Sequence, residues 1–162
     1  MKVSATEEHG LRCLMRLATA WKAGETVTIP EVARCEGMSA QYAAKLVAML
    51  RRGALVRSVR GVKGGVGLAR APESITLTEA LAALAGVPVR TGPCMALDGP
   101  RCERAGTCGL RGVWDRVTHV VTDVLDGVTL ADLVVNGRSE AGGDGSRQGP
   151  PTPARWSTEP RA

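Results

Sequence analysis

The feature that most constrains the fold is a pair of short helical segments joined by the four-residue turn Glu36-Gly37-Met38-Ser39. Thr28, which is followed by Ile-Pro-Glu, predicts the start of the first segment. Ser39 predicts the cap of the second segment, which runs to about Arg52 and is closed by Gly53. Two capped helices joined by so tight a turn are typical of a helix-turn-helix.

A glycine-rich β-hairpin is predicted directly after these helices. Residues 55–59 form a β-branched strand, Gly61, Gly64 and Gly65 a turn, and residues 66–69 a returning strand. The hairpin carries four basic residues: Arg57, Arg60, Lys63 and Arg70. A helix-turn-helix followed at once by a basic, glycine-rich hairpin is the sequence pattern of a winged helix.

Four further segments have apolar residues at helical spacing: 7–22, 77–84, 110–125 and a short last helix beginning at Thr129. Thr6 and Thr76 are the predicted N-caps of the first two. The third carries a broad apolar stripe: Val113, Trp114, Val117, Val120, Val121, Val124 and Leu125. Because that stripe is broad for a lone helix on a small domain, it predicts packing against a second chain.

We therefore predict a mainly α-helical fold with a small β-hairpin wing, in which a winged helix-turn-helix is joined to a long dimerisation helix. Residues 1–72 are the DNA-binding region, and residues 73–137 hold a cysteine loop and the long helix. Residues 138–162 are predicted to be a disordered tail, because eleven of these twenty-five residues are Gly, Pro or Ser. No run reaches the length of a membrane span and no secretory signal is visible, so we expect a cytoplasmic protein without a membrane partner.

Charge is distributed unevenly along the chain. Residues 1–72 have a net charge of +7 and residues 73–137 a net charge of −3, which indicates a polyanionic partner for the first part. Gln41 is suited to an adenine edge, whereas lysines and arginines are suited to phosphates. The predicted DNA-contacting residues are Ser39, Gln41, Lys45, Arg51, Arg52, Arg60 and Lys63. The alternative is a protein-interaction winged helix with a solvated basic face.

Three cysteines, Cys94, Cys102 and Cys108, lie in a Gly/Pro-containing loop between two predicted helices. Thiolates on such a loop bind zinc, Cu(I) or an iron–sulfur cluster, and the closely spaced pairs of structural zinc sites are absent. A fourth ligand has to come from elsewhere, and the candidates are Glu7, Glu8, His9 and His119. A thiol redox switch without metal is the other interpretation. Cys13 and Cys35 fall on helical segments and are predicted to be small core residues.

Several segments together resemble one family, the iron–sulfur winged-helix regulators that include IscR and NsrR. The matching segments are Met1–Ser4 with Gly10–Arg12, Ile29–Ala33, Tyr42–Leu50, Arg51–Val56, Ser58–Gly61, Gly64-Gly65 with Leu68–Arg70, Ile75–Leu77, and Thr129–Leu133. They cover nearly all of residues 1–135. Two departures are Val66, where an aromatic residue is common, and a longer spacing between the first two cysteines of the loop.

The resemblance implies a homodimer that binds palindromic promoter DNA and holds an iron–sulfur cluster, [4Fe-4S] or [2Fe-2S], on Cys94, Cys102 and Cys108. IscR-like members have a His shortly after the third cysteine, and none stands here. NsrR-like members use an acidic residue near the N-terminus, supplied by the partner subunit, and Glu8 stands at that place. The chain is therefore more similar to NsrR-like members.

These observations predict a repressor whose operator binding is controlled by a cluster that senses nitric oxide or redox state. The alternative is a cysteine-thiol or zinc-dependent regulator with the same DNA-binding half. A cluster carrier would leave the helix-turn-helix and the basic wing without a role. An enzyme is not indicated, since no nucleophile–base pair, phosphate loop or pair of carboxylates stands out.

Overall fold

The computed structural model describes residues 3–61, 64–85 and 109–140 and contains six α-helices there, with one two-stranded hairpin. Three helices precede the hairpin: α1 (Ala5–Lys22), α2 (Ile29–Cys35) and α3 (Ala40–Arg52). The hairpin consists of β1 (Val56–Val59) and β2 (Gly65–Leu68), followed by a 3-10 turn, Pro72–Ser74. Three helices follow: α4 (Leu77–Ala85), α5 (Gly109–Asp126) and α6 (Leu130–Glu140). The mainly helical winged-helix fold predicted from the sequence is confirmed.

Side-chain caps define where most helices begin. Thr28 and Ser39 accept hydrogen bonds from backbone N–H groups three residues ahead, at 3.3 and 3.2 Å. Thr76 and Thr129 do the same for α4 and α6, as their positions predicted.

The predicted cap of α1 is wrong by two residues. Helix α1 begins after Ser4, not after Thr6. The Ser4 hydroxyl accepts from the Glu7 N–H at 3.3 Å, and the Glu7 carboxylate accepts from the Ser4 N–H at 2.7 Å. This reciprocal capping box requires Glu or Gln three residues after the cap, a condition that Ser4 meets and Thr6, followed by His9, does not.

The hairpin is antiparallel, with Val56 opposite Leu68 and Val59 opposite Gly65. A third segment extends it, because Val27 and Val66 exchange both backbone hydrogen bonds, at 3.0 and 2.8 Å. Gly65 permits this close approach, since a Cβ there would lie 2.7 Å from the Val27 carbonyl oxygen. The wing is thereby tied to the linker that joins α1 and α2.

One hydrophobic core joins the first three helices, the wing, α4 and α6. Its most deeply buried large side chains are Leu14, Leu17, Val32, Leu46, Leu50, Leu55, Leu68 and Ile75. Helix α6 closes the core with Leu130 and Val134. The chain has no Phe, so this core is filled by aliphatic side chains.

The C-terminal end of α3 divides two roles between neighbouring residues. Gly53 has an ordinary φ of −76°, and a Cβ there would lie 2.5 Å from the Cβ of Ala83, so glycine is required for contact with α4. Ala54 carries the left-handed conformation instead, with φ +57°. Gly53 therefore follows the helix as predicted, although for packing and not for a left-handed turn.

Helix α5 differs from all the others in having no buried residue. Its valines at positions 113, 117, 120 and 124 are exposed. No helix in the described ranges combines the length and the apolar character needed to cross a membrane.

Candidate nucleic-acid interface and cluster-ligand site

The turn between α2 and α3 presents α3 as a recognition helix. Gly37 has φ +66°, a conformation that glycine adopts without strain, and the Met38 N–H donates to the Ala33 carbonyl at 2.9 Å. Ser39 then caps α3 through the Tyr42 N–H. The backbone at the entry to α3 is therefore held at three successive points.

Helix α3 has one buried and one polar face. Its inward residues are Ala43, Leu46, Val47 and Leu50. Gln41, Lys45 and Arg52 are exposed and lie opposite the buried face, because their spacing returns them to one side of a helix. Arg51 and the cap residue Ser39 are also exposed, but they flank this polar face. A polar face on the second helix of a helix-turn-helix is what enters a major groove.

The wing adds positive charge beside α3. Arg57 and Arg60 are exposed, and the Arg57 Nε donates to the Leu68 carbonyl across the hairpin at 3.1 Å. Arg70 at the base of the wing is paired with Glu79 of α4 at 2.7 Å, and this hydrogen bond lowers the pKa of Glu79. Lys63, predicted at the wing tip, lies outside the described residues. Among the described basic residues of the hairpin, Arg60 is therefore closest to the tip.

The proposed fourth cluster ligand, Glu8, lies in the first turn of α1. Its side chain is 56% exposed, and it forms an ion pair with the equally exposed Arg12 at 2.8 Å. The other candidates are placed differently: Glu7 is engaged in the capping box, His119 is exposed on α5, and His9 packs on α3. Glu8 therefore has the carboxylate that is least committed to holding the fold.

Cys94, Cys102 and Cys108 lie outside the described residues, between the end of α4 and the start of α5. Helix α4 reaches the first turns of α1, since a Cβ on Gly10 would overlap the side chain of Leu84. The chain thus enters the cysteine segment two residues after a contact with α1. Within the ranges that the structure describes, no group of three or more His, Cys, Asp or Glu side chains is arranged to hold a metal ion.

The two remaining cysteines have opposite environments. Cys13 is fully buried, and this burial, with the nearby charge of Glu36, raises the pKa of its thiol to about 11. It is a core residue, as predicted. Cys35 is exposed, so its prediction as a core residue is wrong. Helix α2 has only seven residues and buries only Val32 and Ala33, which leaves its last residue in solvent.

A contact that the sequence did not predict joins α1 to α3. The rings of His9 and Tyr42 meet edge to face, with centroids 5.7 Å apart and planes at 87°. Helical spacing within either segment does not reveal this pairing, because the pairing depends on how α1 crosses α3.

The exposed stripe on α5 borders a groove of about 330 Å³. Its lining residues are Val113, Arg116, Val117, Val120 and Val121. The predicted stripe is therefore present. Its valines at positions 113, 117, 120 and 124 are exposed, whereas Trp114, Val121 and Leu125 are half-buried.

Comparison with known proteins agrees with this geometry. The family model Rrf2, described as an iron-dependent transcriptional regulator, matches residues 3–136. The HTH-type transcriptional regulator CymR of Bacillus subtilis is 32% identical over 143 residues, 87% of this chain and 96% of CymR. The structure of CymR, described as the global cysteine regulator, superimposes with a TM-score of 0.66 over 84% of this chain and 98% of CymR, at 29% identity.

Two further proteins are similar to this chain. The HTH-type transcriptional regulator NsrR of Bacillus licheniformis is 29% identical over 136 residues, 84% of this chain and 94% of NsrR. The structure of T. potens IscR superimposes with a TM-score of 0.67 at 29% identity, over 90% of this chain and 94% of IscR. Since the family model spans the helix-turn-helix, the wing and both C-terminal helices, the chain belongs to the Rrf2 family of DNA-binding transcription regulators and is not an enzyme.

Proposed function

We propose that the protein is a homodimeric repressor that binds palindromic promoter DNA and whose affinity is controlled by an iron–sulfur cluster. The observation that carries the proposal is the polar face of α3 beside an arginine-bearing wing, in a chain that the iron-dependent Rrf2 model spans. We infer nitric oxide or redox state as the signal.

The DNA-contacting roles follow from position. Gln41 lies near the N-terminal end of α3, the part of a recognition helix that meets base edges, and its amide can bond adenine bidentately. Lys45 and Arg52 share its face and contact phosphates on either side of the groove. Ser39, Arg51, Arg60 and Lys63 complete the proposed contact set.

A cluster on this chain would be held by three thiolates and one carboxylate. Thiolates of Cys94, Cys102 and Cys108 are the ligands that iron–sulfur clusters prefer, and Glu8 supplies a harder oxygen donor. Glu8 fits this role because, within the described residues, its side chain is paired with the exposed Arg12 alone, and exposed ion pairs contribute at most about 1 kcal/mol. When bound, the cluster supplies iron that reacts with nitric oxide or oxidants.

The homodimer is supported by α5. A helix that buries none of its own residues gains little from folding alone, and a two-fold axis would place its valine stripe against the same stripe of a second copy. Two recognition helices related by such an axis would match a palindromic operator.

Anaerobic purification tests the cluster. The protein should be brown and contain iron and sulfide, and nitric oxide titration should lower its affinity for promoter DNA. Glu8→Ala should still load through the three cysteines but lose iron faster, whereas Glu25→Ala, which removes an exposed carboxylate outside α1, should retain iron as wild type does. A colourless protein that binds DNA with full affinity would remove the cluster from the proposal.

The salt dependence of DNA binding tests the interface separately. Arg60→Ala should flatten the slope of log affinity against log salt by about one unit, because one phosphate contact is lost. Glu73→Ala, an exposed substitution in the 3-10 turn, is the control that should leave this slope unchanged. An Arg60→Ala slope equal to that of wild type would remove Arg60 from the interface.

A second candidate is a cysteine-thiol or zinc-dependent regulator with the same DNA-binding half. The likeness to CymR, described as a global cysteine regulator, favours it. A colourless protein whose affinity for DNA changes when the loop thiols are oxidised or loaded with zinc would support this candidate.

A further inference from the structure

We propose that His9 is a positioning residue, which ties the orientation of the recognition helix to the N-terminal turns of α1 by packing on Tyr42. Its regulatory meaning rests on the proposed function, because the neighbouring Glu8 is the proposed ligand. The packing itself does not depend on that function.

The contact has a defined geometry. The imidazole and phenol rings are nearly perpendicular with centroids 5.7 Å apart, the arrangement that aromatic pairs prefer. The Nδ1 of His9 is buried and has no hydrogen-bond partner within the described part of the chain. The imidazole therefore contacts α3 by ring packing, and its buried Nδ1 contributes no hydrogen bond.

Tyr42 lies in the first turn of α3, where a small displacement of the helix would move the proposed base-contacting residue. Its N–H donates to the capping hydroxyl of Ser39 at 3.2 Å, so it belongs to the first turn of α3. It directly follows Gln41, the proposed base-contacting residue. Because α3 is rigid and capped at this point, a shift of Tyr42 carries Gln41 with it.

His9 lies beside the first turn of α1 and moves with it. The preceding residue, Glu8, donates its N–H to the Ser4 carbonyl at 3.0 Å, within the turn that the Ser4–Glu7 capping box closes. The following residue, Gly10, is wedged against Leu84. His9 thus lies between the capped first turn of α1 and a residue that is anchored in the core. Any change that releases Glu8 or its turn reaches the recognition helix through the His9–Tyr42 contact.

A double-mutant cycle on the full chain, purified anaerobically, tests this link. Ser4→Ala loosens the first turn of α1, and His9→Ala removes the contact. The probe is a fluorescein-labelled duplex selected from a random-sequence pool by the wild-type protein. Each single substitution should weaken binding by about threefold to tenfold, and the double variant should bind no worse than His9→Ala alone.

Tyr42 provides a direct readout, because it is the single tyrosine of the chain. Protein grown with meta-fluorotyrosine should give one fluorine resonance, which Ser4→Ala shifts in the wild-type background and no longer shifts in the His9→Ala background. His9→Phe should preserve the resonance and the affinity, since a ring of similar shape replaces an imidazole whose Nδ1 has no partner. If His9→Ala does not fold, His9→Leu carries the same cycle.

Leu133→Ala is the matched control, because it removes a half-buried packing residue from α6. It should lower the melting temperature without moving the fluorine resonance.

Three results would overturn the proposal. These are equal shifts of the fluorine resonance in Leu133→Ala and His9→Ala, an unchanged resonance in His9→Ala, and independent effects of the two substitutions on DNA affinity in the cycle. If the protein never loads a cluster, the proposed iron–sulfur function is wrong, but the cycle still tests the role of His9. If the protein loads a cluster normally and the effects in the cycle are additive, only the role of His9 is wrong.

Discussion

Between Leu14 and Leu68, the residues with helical or strand spacing converge on one core, whereas along α5 the same kind of spacing leaves no residue fully buried. Val120 and Val124 of α5 are 62% and 63% exposed, while Leu46 and Leu50 of α3 are fully buried. An apolar stripe therefore shows that a helix has a partner, but not whether the partner belongs to the same chain. The winged helix completes its core within the same chain, with side chains of α4 and α6, whereas α5 presents an open surface.

The largest effect is expected on the free energy of unfolding when a core side chain of α3 is removed. Leu46→Ala should lower the free energy of unfolding by about 2–5 kcal/mol, because a fully buried leucine leaves a cavity among rigid neighbours. Lys45→Ala, at the neighbouring exposed position, should change it by less than about 0.5 kcal/mol. Urea denaturation followed by circular dichroism measures both, and similar losses in the two variants would contradict a self-contained core.

The junction of the winged helix with α4 should respond next. Gly53→Ala should cost about 1–3 kcal/mol, because its new Cβ would meet the Ala83 Cβ at 2.5 Å. Ala83→Gly, added to the Gly53→Ala variant, removes the Cβ that the new side chain meets and should recover part of the loss. Gly24→Ala cannot serve as the control, because Gly24 has φ +67°. A double variant no more stable than Gly53→Ala would show that the strain lies elsewhere.

Helix α5 should respond in association rather than in folding. Val121→Asp places a charge on the groove-lining face and should weaken self-association tenfold or more, about 1.4 kcal/mol, while the winged-helix signal in circular dichroism is retained. His119→Asp, an exposed substitution on another side of α5, is the control. Sedimentation velocity across a concentration series measures the effect, and a wild type that is monomeric at micromolar concentration would break the comparison.

The smallest effect concerns the exit from α3. Ala54→Gly should raise the free energy of unfolding by roughly 0.5–1 kcal/mol, because glycine adopts φ +57° without the Cβ clash that alanine carries. Ala69→Gly, at an exposed position without positive φ, should not be stabilising. Thermal melts of the three proteins decide between a backbone effect at Ala54 and a general effect of glycine.

Local signals in the sequence were sufficient for most of the secondary structure. The caps at Thr28, Ser39, Thr76 and Thr129 act on backbone groups three residues away, so short motifs identify them. The one wrong cap, Thr6, arose because Ser4 and Thr6 are both cap-forming residue types near the start of α1, and only the partner Glu7 distinguishes them.

The tertiary structure decided features that depend on distant neighbours. Cys35 and Cys13 both have helical spacing, yet only the lengths and contacts of their helices separate an exposed thiol from a buried one. The His9–Tyr42 contact joins residues far apart in the chain, and their pairing depends on how α1 crosses α3.

The sequence by itself thus determined the order of the elements, the recognition helix and the basic wing, because periodicity and capping act within a few residues along the chain. Only the tertiary structure decided that Gly53 serves packing while Ala54 bears the left-handed turn, that Glu8 is exposed beside Arg12, and that α5 is left open. These outcomes depend on which surfaces meet in three dimensions, and close contact between surfaces is a property of the whole packed chain.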